Sequence, residues 1–299
     1  ICNLTGAIIN VILDAIFVLG FNWGMTGAAA ATIIGQFVSA LIVIIYTTKF
    51  KSVNLNLSHF KPNSKIIKRI SAIGLASFVN QIAIGIVQVV LNNSLKHYGA
   101  LSEYGSDEPI ACSGNVMKVN MIIFSIVIGL AQGTQPIESH NYGAKKYDRV
   151  KEAFRLAVIV GGIVSIAAFI MFQIFPRQIL SIFGSTSETY YEFGEKFFKI
   201  FFFFTWINCL QPITSTFFTS IGKPIKGIFL SLTRQIIFFV PILLILPIFF
   251  GIDGVIYTGT IADGLSAIVA IALAAYEFKI MKKLEKQENT TQLPEKLGV

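Results

Sequence analysis

The sequence has 299 residues, of which 54% are hydrophobic and only 13% are charged, and its formal net charge is +8. Soluble domains carry about 25% charged residues, so the composition excludes a soluble enzyme and indicates an all-α polytopic membrane protein. The basic residues lie in short blocks between apolar runs, as in cytoplasmic loops, and no nucleic-acid partner is expected.

Eight stretches of the sequence are long and apolar enough to cross a bilayer, which takes about 20 residues each. They cover residues 2–20, 25–48, 68–96, 109–134, 152–175, 196–218, 226–249 and 254–278. Basic and non-basic loops alternate at every crossing. The positive-inside rule therefore predicts a multi-pass protein of the plasma (inner) membrane with a cytoplasmic C-terminus.

The first and last helix pairs share a short turn of the form Gly-x-x-Gly, at Gly24 and Gly27 and again at Gly251 and Gly254. This repeat fits a duplicated helix bundle, which is a frequent plan among transporters. It predicts that residues 1–50 are the last hairpin of an N-terminal lobe and that 51–66 are a cytoplasmic linker. Residues 67–279 would form a complete six-helix C-terminal lobe, and 280–299 a polar, disordered cytoplasmic tail. Four further helices would precede the chain.

Asp14 is the strongest candidate for a functional site, because a charged side chain within the bilayer costs at least about 2.5–3.5 kcal/mol. Asn10 lies one turn away on the same face, and Thr32 returns to a similar depth in the next span. A carboxylate, an amide oxygen and a hydroxyl together suit H⁺ or Na⁺. The alternative is that Asp14 only caps or hydrogen-bonds a neighbouring helix. No cofactor or fixed metal site is expected beyond Na⁺ at Asp14.

Three more ionisable residues lie well inside the predicted spans. Lys118 and Asp263 lie at similar depths and are predicted to form a buried ion pair, either structural or substrate-binding. Arg234 is expected to extend to the cytoplasmic surface or to bind a cluster of carbonyl groups.

Polar side chains also recur at helical spacing in the third span, at Gln81, Gln88 and Asn92. Because amides facing lipid would be costly, they are expected to face the bundle or a cavity. They would either hydrogen-bond between helices or line a substrate pathway. With Lys118 and Asp263 they are the candidate cavity residues.

A polar segment ends the fourth span, and it is assigned to loop geometry and gating. Its candidate residues are Gln132, Gln135, Pro136, Asn141 and Gly143.

The stretch GLAQGTQPIESHNYGAKKYDRVKEAFRLA (129–157) resembles the signature of multidrug and toxic compound extrusion (MATE) transporters. Residues 10–36 resemble that family's fifth and sixth helices, and 222–263 its last two, so the resemblance covers nearly the whole chain in order. Ala15 and Ala76 depart from the pattern, since the family often has Pro at both positions, and any Pro-dependent bending after Asp14 is in doubt.

The resemblance implies a twelve-helix antiporter on the DinF- or MepA-like side of the family, with this chain supplying helices 5–12. Such a protein exports cationic amphiphilic compounds in exchange for H⁺ or Na⁺ by alternating access, and ion-coupling groups fall at Asp14, Asn10 and Thr32. The expected partners are the lipid bilayer and small cationic drug-like substrates, and the expected state is a monomer. The alternatives are a lipid-linked oligosaccharide flippase of the same superfamily and an inactive truncated fragment. No motif of a membrane-embedded enzyme is present.

Overall fold

The computed structural model describes the backbone of residues 2–48, 62–184 and 187–296, and their side chains except at 2, 69–70, 72–77 and 286–296. These ranges contain helices and turns and no strand, so the predicted all-α class is confirmed. The chain divides into two compact units, Ile1–Ser71 and Ala72–Val299. Most of the predicted linker lies outside the described residues, and the next helix already begins at Ser64.

The first unit contains helix α1 (Cys2–Asp14), which continues as a π-helical segment (Ala15–Gly20), then α2 (Gly24–Thr48) and the start of α3 (Ser64–Ala100). The second unit contains the rest of α3, followed by α4 (Asp107–Gly143), α5 (Tyr147–Ile174), α6 (Pro176–Ser181), α7 (Glu188–Phe201), α8 (Leu210–Ser220), α9 (Pro224–Leu232), α10 (Val240–Phe250) and α11 (Ile252–Lys296). A 3₁₀ turn (Thr205–Ile207) precedes α8, and a π-helical segment (Thr233–Phe239) joins α9 to α10.

In the described ranges, seven continuous helical stretches are long and apolar enough to cross a membrane, and a bent pair raises the number to eight. The bent pair is Glu188–Phe201 with Thr205–Ser220, which meet at 42°. The sequence predicts a single span over 196–218 here. Pro212 explains the restart of the helix after this bend. Because α8 begins at Leu210, Pro212 lies in the first turn, where no backbone N–H is needed.

The first glycine of each Gly-x-x-Gly turn has a positive φ. Gly24 and Gly251 have φ values of +53° and +58°, which only glycine adopts readily. The second glycine of each turn lies against a neighbour: a Cβ on Gly27 would come 2.9 Å from Trp23 Cβ, and one on Gly254 would come 2.6 Å from the Leu246 carbonyl. The repeat seen in the sequence therefore corresponds to two similar helix-connecting turns.

The core of the second unit is built largely from phenylalanine. Phe197 and Phe201 stack with ring centroids 4.5 Å apart, and Phe172 packs on Phe198 at 4.9 Å. A Cβ on Gly259 of α11 would lie 2.6 Å from the Phe201 ring. Since a side chain there would displace the ring, glycine lets α11 pack closely against α7.

The predicted disordered tail is wrong for residues 280–296, because α11 remains helical to Lys296. The first residues of this extension are anchored: Met281 is fully buried, and Glu285 lies 3.1 Å from Lys151 of α5. Burial of an apolar side chain together with a cross-helix ion pair explains why the helix does not end where the apolar span ends. Residues 297–299 lie outside the described part of the chain.

Candidate cation-coupling site

Two glycines bring α1 and α2 into close contact in the first unit. A Cβ on Gly35 would lie 2.8 Å from the Gly6 carbonyl oxygen and 2.9 Å from Asn10 Cβ, and one on Gly6 would lie 2.7 Å from the Gly35 carbonyl oxygen. Small residues at such contacts are how membrane helices approach most closely. This contact fixes which side chains face each other one turn further along both helices.

Replacing Gly35 by Ala should destabilise this hairpin, because overpacking a close contact costs about 1–3 kcal/mol. The matched control is Gly85→Ala in α3, where a Cβ would meet nothing within 4 Å. There the better helix propensity of Ala should leave stability unchanged or raise it by up to about 1 kcal/mol. Thermal unfolding of the detergent-purified variants measures both effects. Equal effects at the two positions would contradict the proposed role of the close contact.

Asn10 and Thr32 meet beside the glycine contact, as the sequence predicts. The Asn10 side-chain nitrogen donates to Thr32 Oγ1 over 3.3 Å, and the Thr32 hydroxyl donates to the Ala28 carbonyl over 2.9 Å. Both residues line an open groove of about 280 Å³. Because the Asn10 amide uses its nitrogen in this contact, its carbonyl oxygen is left to accept a proton donor or a cation.

Asp14 lies at the last α-helical position of α1, directly before the π-helical segment. π-Helical turns inside longer helices are frequent at functional sites. Its side chain is partly buried, and Oδ1 is inaccessible to solvent and has no hydrogen-bond partner. No bond joins Asp14 to Asn10 or Thr32 among the described residues, so the direct cluster of three side chains is only partly formed. An unpartnered buried carboxylate oxygen is costly, and a proton or a cation would remove that cost.

The polar stripe of α3 does not face the interior of its own unit. Gln81 and Gln88 are exposed and Asn92 is half-buried, and Gln88 Nε2 donates to Asn92 Oδ1 over 3.2 Å. The stripe is therefore a polar surface of the second unit. Its assignment to a substrate pathway stays a prediction.

The predicted ion pair of Lys118 and Asp263 is wrong. Asp263 is 1% exposed and binds Arg234, whose Nε and a terminal nitrogen each lie 2.7 Å from Oδ1. Asn208 Nδ2 donates to the other oxygen over 3.1 Å. Lys118 is exposed on α4, with no carboxylate within 4.0 Å in the described ranges. Lys118 was predicted as the partner of Asp263 because the two residues lie at similar depths in their spans. The partner is Arg234 because its helix face, and not that of Lys118, points towards Asp263.

The same contact corrects the expectation for Arg234, which does not extend to the membrane surface. Arg234 lies in the π-helical segment Thr233–Phe239, and its side chain is 18% exposed. The guanidinium group points inward to the buried Asp263 carboxylate. Because the group is planar, two of its N–H groups can donate to the same carboxylate oxygen.

The predicted gating segment forms the end of α4 and the turn after it. Pro136 lies inside the helix, which continues to Gly143, and Asn141 Nδ2 donates to the Ile137 carbonyl over 2.8 Å. Gln132 and Gly143 are exposed and Gln135 is half-buried. The helix thus extends beyond residue 134, where the predicted span ends, and the gating role stays a prediction.

Two buried acids were not predicted as sites from the sequence. Glu138 is 1% exposed, and its Oε2 lies 2.6 Å from the Ser220 hydroxyl oxygen. Glu277 is 0% exposed and pairs with Lys223 and, at 2.9 Å, with Lys226. Glu277 could have been predicted from the sequence, because it is a single acid at the end of an apolar span and Lys223 and Lys226 lie three residues apart in the preceding cytoplasmic loop. Glu138 was not considered as a buried acid because the predicted span ends at residue 134, before Pro136.

Comparisons with known proteins agree with this architecture. The MatE family model matches residues 98–245. The chain is 27% identical over 270 residues to the multidrug export protein MepA of Staphylococcus aureus (strain MRSA252), covering 89% of this chain and 57% of that protein. It is 26% identical over 292 residues to MepA of Staphylococcus saprophyticus, covering 95% and 61%. The chain thus spans less than two thirds of the length of these relatives.

Solved structures show the same fold. An outward-facing multidrug resistance MATE family transporter of the MOP superfamily gives a TM-score of 0.81 at 22% identity, covering 93% of this chain and 61% of that one. A MOP superfamily transporter from Pyrococcus furiosus, described as having a binding pocket of reverse polarity, gives 0.81 at 22% identity with 93% and 62% covered. The helical fold of this chain is therefore that of these membrane transporters. These matches confirm the resemblance to the MATE family that residues 129–157 indicated.

Proposed function

We propose that the protein exports small cationic drug-like compounds across the plasma membrane in exchange for H⁺ or Na⁺, and that the exchanged cation binds at Asp14, Asn10 and Thr32. The observation that carries this proposal is the buried Oδ1 of Asp14, which has no hydrogen-bond partner, one helical turn from the contact between Asn10 and Thr32. The name of the MepA relatives, multidrug export protein, supports the substrate class.

The chemistry of exchange follows from the donor set. A proton or Na⁺ on Asp14 neutralises the carboxylate, and the Asn10 carbonyl oxygen can supply a second ligand because the amide nitrogen is already bound to Thr32. When the cation leaves, a negative charge remains in an apolar hairpin, and this charge favours a cationic substrate. Because one carboxylate cannot be neutral and charged at once, the two ligands exclude each other and exchange is obligatory.

One observation favours the alternative of a lipid-linked oligosaccharide flippase. Lys118 is exposed on α4 and has no carboxylate within 4.0 Å in the described ranges, so its charge is available to a pyrophosphate. A single such lysine is weaker support than the Asp14 site, since neutralising a pyrophosphate takes several cations.

Transport by purified protein in liposomes distinguishes these two functions. The protein encoded by the reading frame that contains this chain is assayed with a cationic dye under separate H⁺ and Na⁺ gradients, and with a fluorescent pyrophosphate-linked lipid. We expect gradient-driven dye transport and no lipid flipping. Flipping of the lipid without dye transport, lost in Lys118→Gln, would establish the flippase instead.

A further inference from the structure

In the part of the second unit whose side chains the structure describes, three carboxyl groups are almost completely buried, but only two of them have a counter-ion. Asp263 pairs with Arg234 and Glu277 pairs with two lysines. Glu138, which is 1% exposed, has no Lys, Arg or His nitrogen within 4.0 Å among the described residues. Glu138 is as buried as Asp263 and Glu277 but lacks a counter-ion. This difference indicates that its protonation state differs from theirs.

The contacts of Ser220 point the same way. Its Oγ lies 2.6 Å from Glu138 Oε2 and 2.7 Å from the Phe217 carbonyl oxygen. A hydroxyl group has one proton and cannot donate to both acceptors at once. If Glu138 carries a proton on Oε2, it donates to Ser220 Oγ, and Ser220 donates to the Phe217 carbonyl. In this arrangement each of the two short oxygen–oxygen contacts contains one hydrogen. If Glu138 were ionised, one of the two contacts would bring two oxygen atoms together with no hydrogen between them.

The surroundings of Glu138 would not stabilise an ionised form. Its other oxygen, Oε1, is buried without a hydrogen-bond partner, and α8, which carries Ser220, has no ionisable side chain. On α5, Lys151 is bound to Asp148 and Glu285. On α6 and α7, Arg177 pairs with Glu188 and Glu195, Lys199 pairs with Glu195, and Lys196 pairs with Asp253 at the start of α11. A buried carboxylate without counter-ion normally takes up a proton.

We infer that Glu138 is a proton-binding site of the second unit, separate from the Asp14 site, and that it holds its proton at neutral pH while α4 and α8 remain in contact. The ligand is a proton shared along the path from Glu138 to Ser220 to the Phe217 carbonyl. Opening of the contact between α4 and α8 would admit water, and the proton could then leave. The inference goes beyond the proposed transport function and does not depend on it.

Infrared spectroscopy of the purified full-length protein tests this inference, because neutral and ionised carboxyl groups absorb at different frequencies. At pH 7, subtracting the Glu138→Gln spectrum from the wild-type spectrum should leave a neutral carboxyl band. The matched control is Glu277→Gln, which removes an equally buried but paired acid and should leave ionised carboxylate bands in the same subtraction. Asp14 is present in all samples, so its contribution cancels.

A second variant keeps the test decisive if Glu138→Gln folds poorly. Ser220→Ala removes the acceptor of the Glu138 proton, so the neutral band should remain and move to the frequency of a carboxyl group with no hydrogen-bond partner. Ionised carboxylate bands in the Glu138→Gln subtraction, or a neutral band that does not move in Ser220→Ala, would overturn the inference.

Discussion

Replacing Asp14 by Asn should abolish ion-driven export of cationic compounds. Asn keeps the size of the side chain but cannot bind a proton or balance the charge of Na⁺, so the exchange has no ionisable group. Cells that carry the variant should lose resistance to a cationic drug and accumulate a cationic dye to the level of cells without the transporter. Dye accumulation is measured with H⁺ and Na⁺ gradients collapsed separately, which also identifies the coupling ion.

Two control variants accompany this experiment. Asp107→Asn removes an exposed acid at the start of α4 and should leave export unchanged. Thr32→Ala removes one neutral hydrogen-bonding group worth about 1 kcal/mol, so it should raise the cation concentration needed for half-maximal export by about fivefold without abolishing export. Full export by Asp14→Asn, with normal amounts of protein in the membrane, would remove Asp14 from the mechanism.

Replacing Arg234 by Met should be the most destabilising single change in the second unit. It leaves the Asp263 carboxylate, which is 1% exposed, with only Asn208 as a partner. Removing one partner of a buried ion pair costs about 3–5 kcal/mol. Chemical denaturation in detergent, followed by tryptophan fluorescence, measures the loss, and binding or transport need not be assayed.

The double variant Arg234→Met with Asp263→Leu should recover most of the lost stability, because removing both partners of a buried pair is often nearly neutral. Arg177→Met provides a matched exposed pair, since Arg177 and Glu188 lie 2.6 Å apart with side chains 51% and 64% exposed, and it should have only a small effect. A double variant as unstable as Arg234→Met would show that Arg234 stabilises the core by packing and not by its charge.

Features that depend on local pattern were predicted well from the sequence. Apolar length and loop charge predicted the membrane helices, since each span satisfies its own backbone hydrogen bonds and needs no distant partner. The turns at Gly24 and Gly251 followed from glycine spacing, because positive φ values favour glycine. Asn10 and Thr32 also meet as predicted, because a short turn between two helices leaves few possible registers.

Features that depend on which way a helix face points were not predicted. Depth along the span matched Asp263 with Lys118, but a π-helical segment carries Arg234 and brings its guanidinium group to Asp263 instead. Helix ends were missed for a related reason. Contacts with distant residues, such as Ser220 with Glu138 and Lys151 with Glu285, extend α4 and α11 beyond their apolar spans, and no local pattern encodes such contacts.

Simultaneous recording of ion and drug movement in liposomes, with no gradient imposed at the start, tests cation exchange at Asp14 most directly. Adding a cationic drug on one side should drive H⁺ or Na⁺ out of the opposite compartment through the wild-type protein, and no ion should move in Asp14→Asn. Drug movement through the wild-type protein without any opposing ion flux would contradict the account.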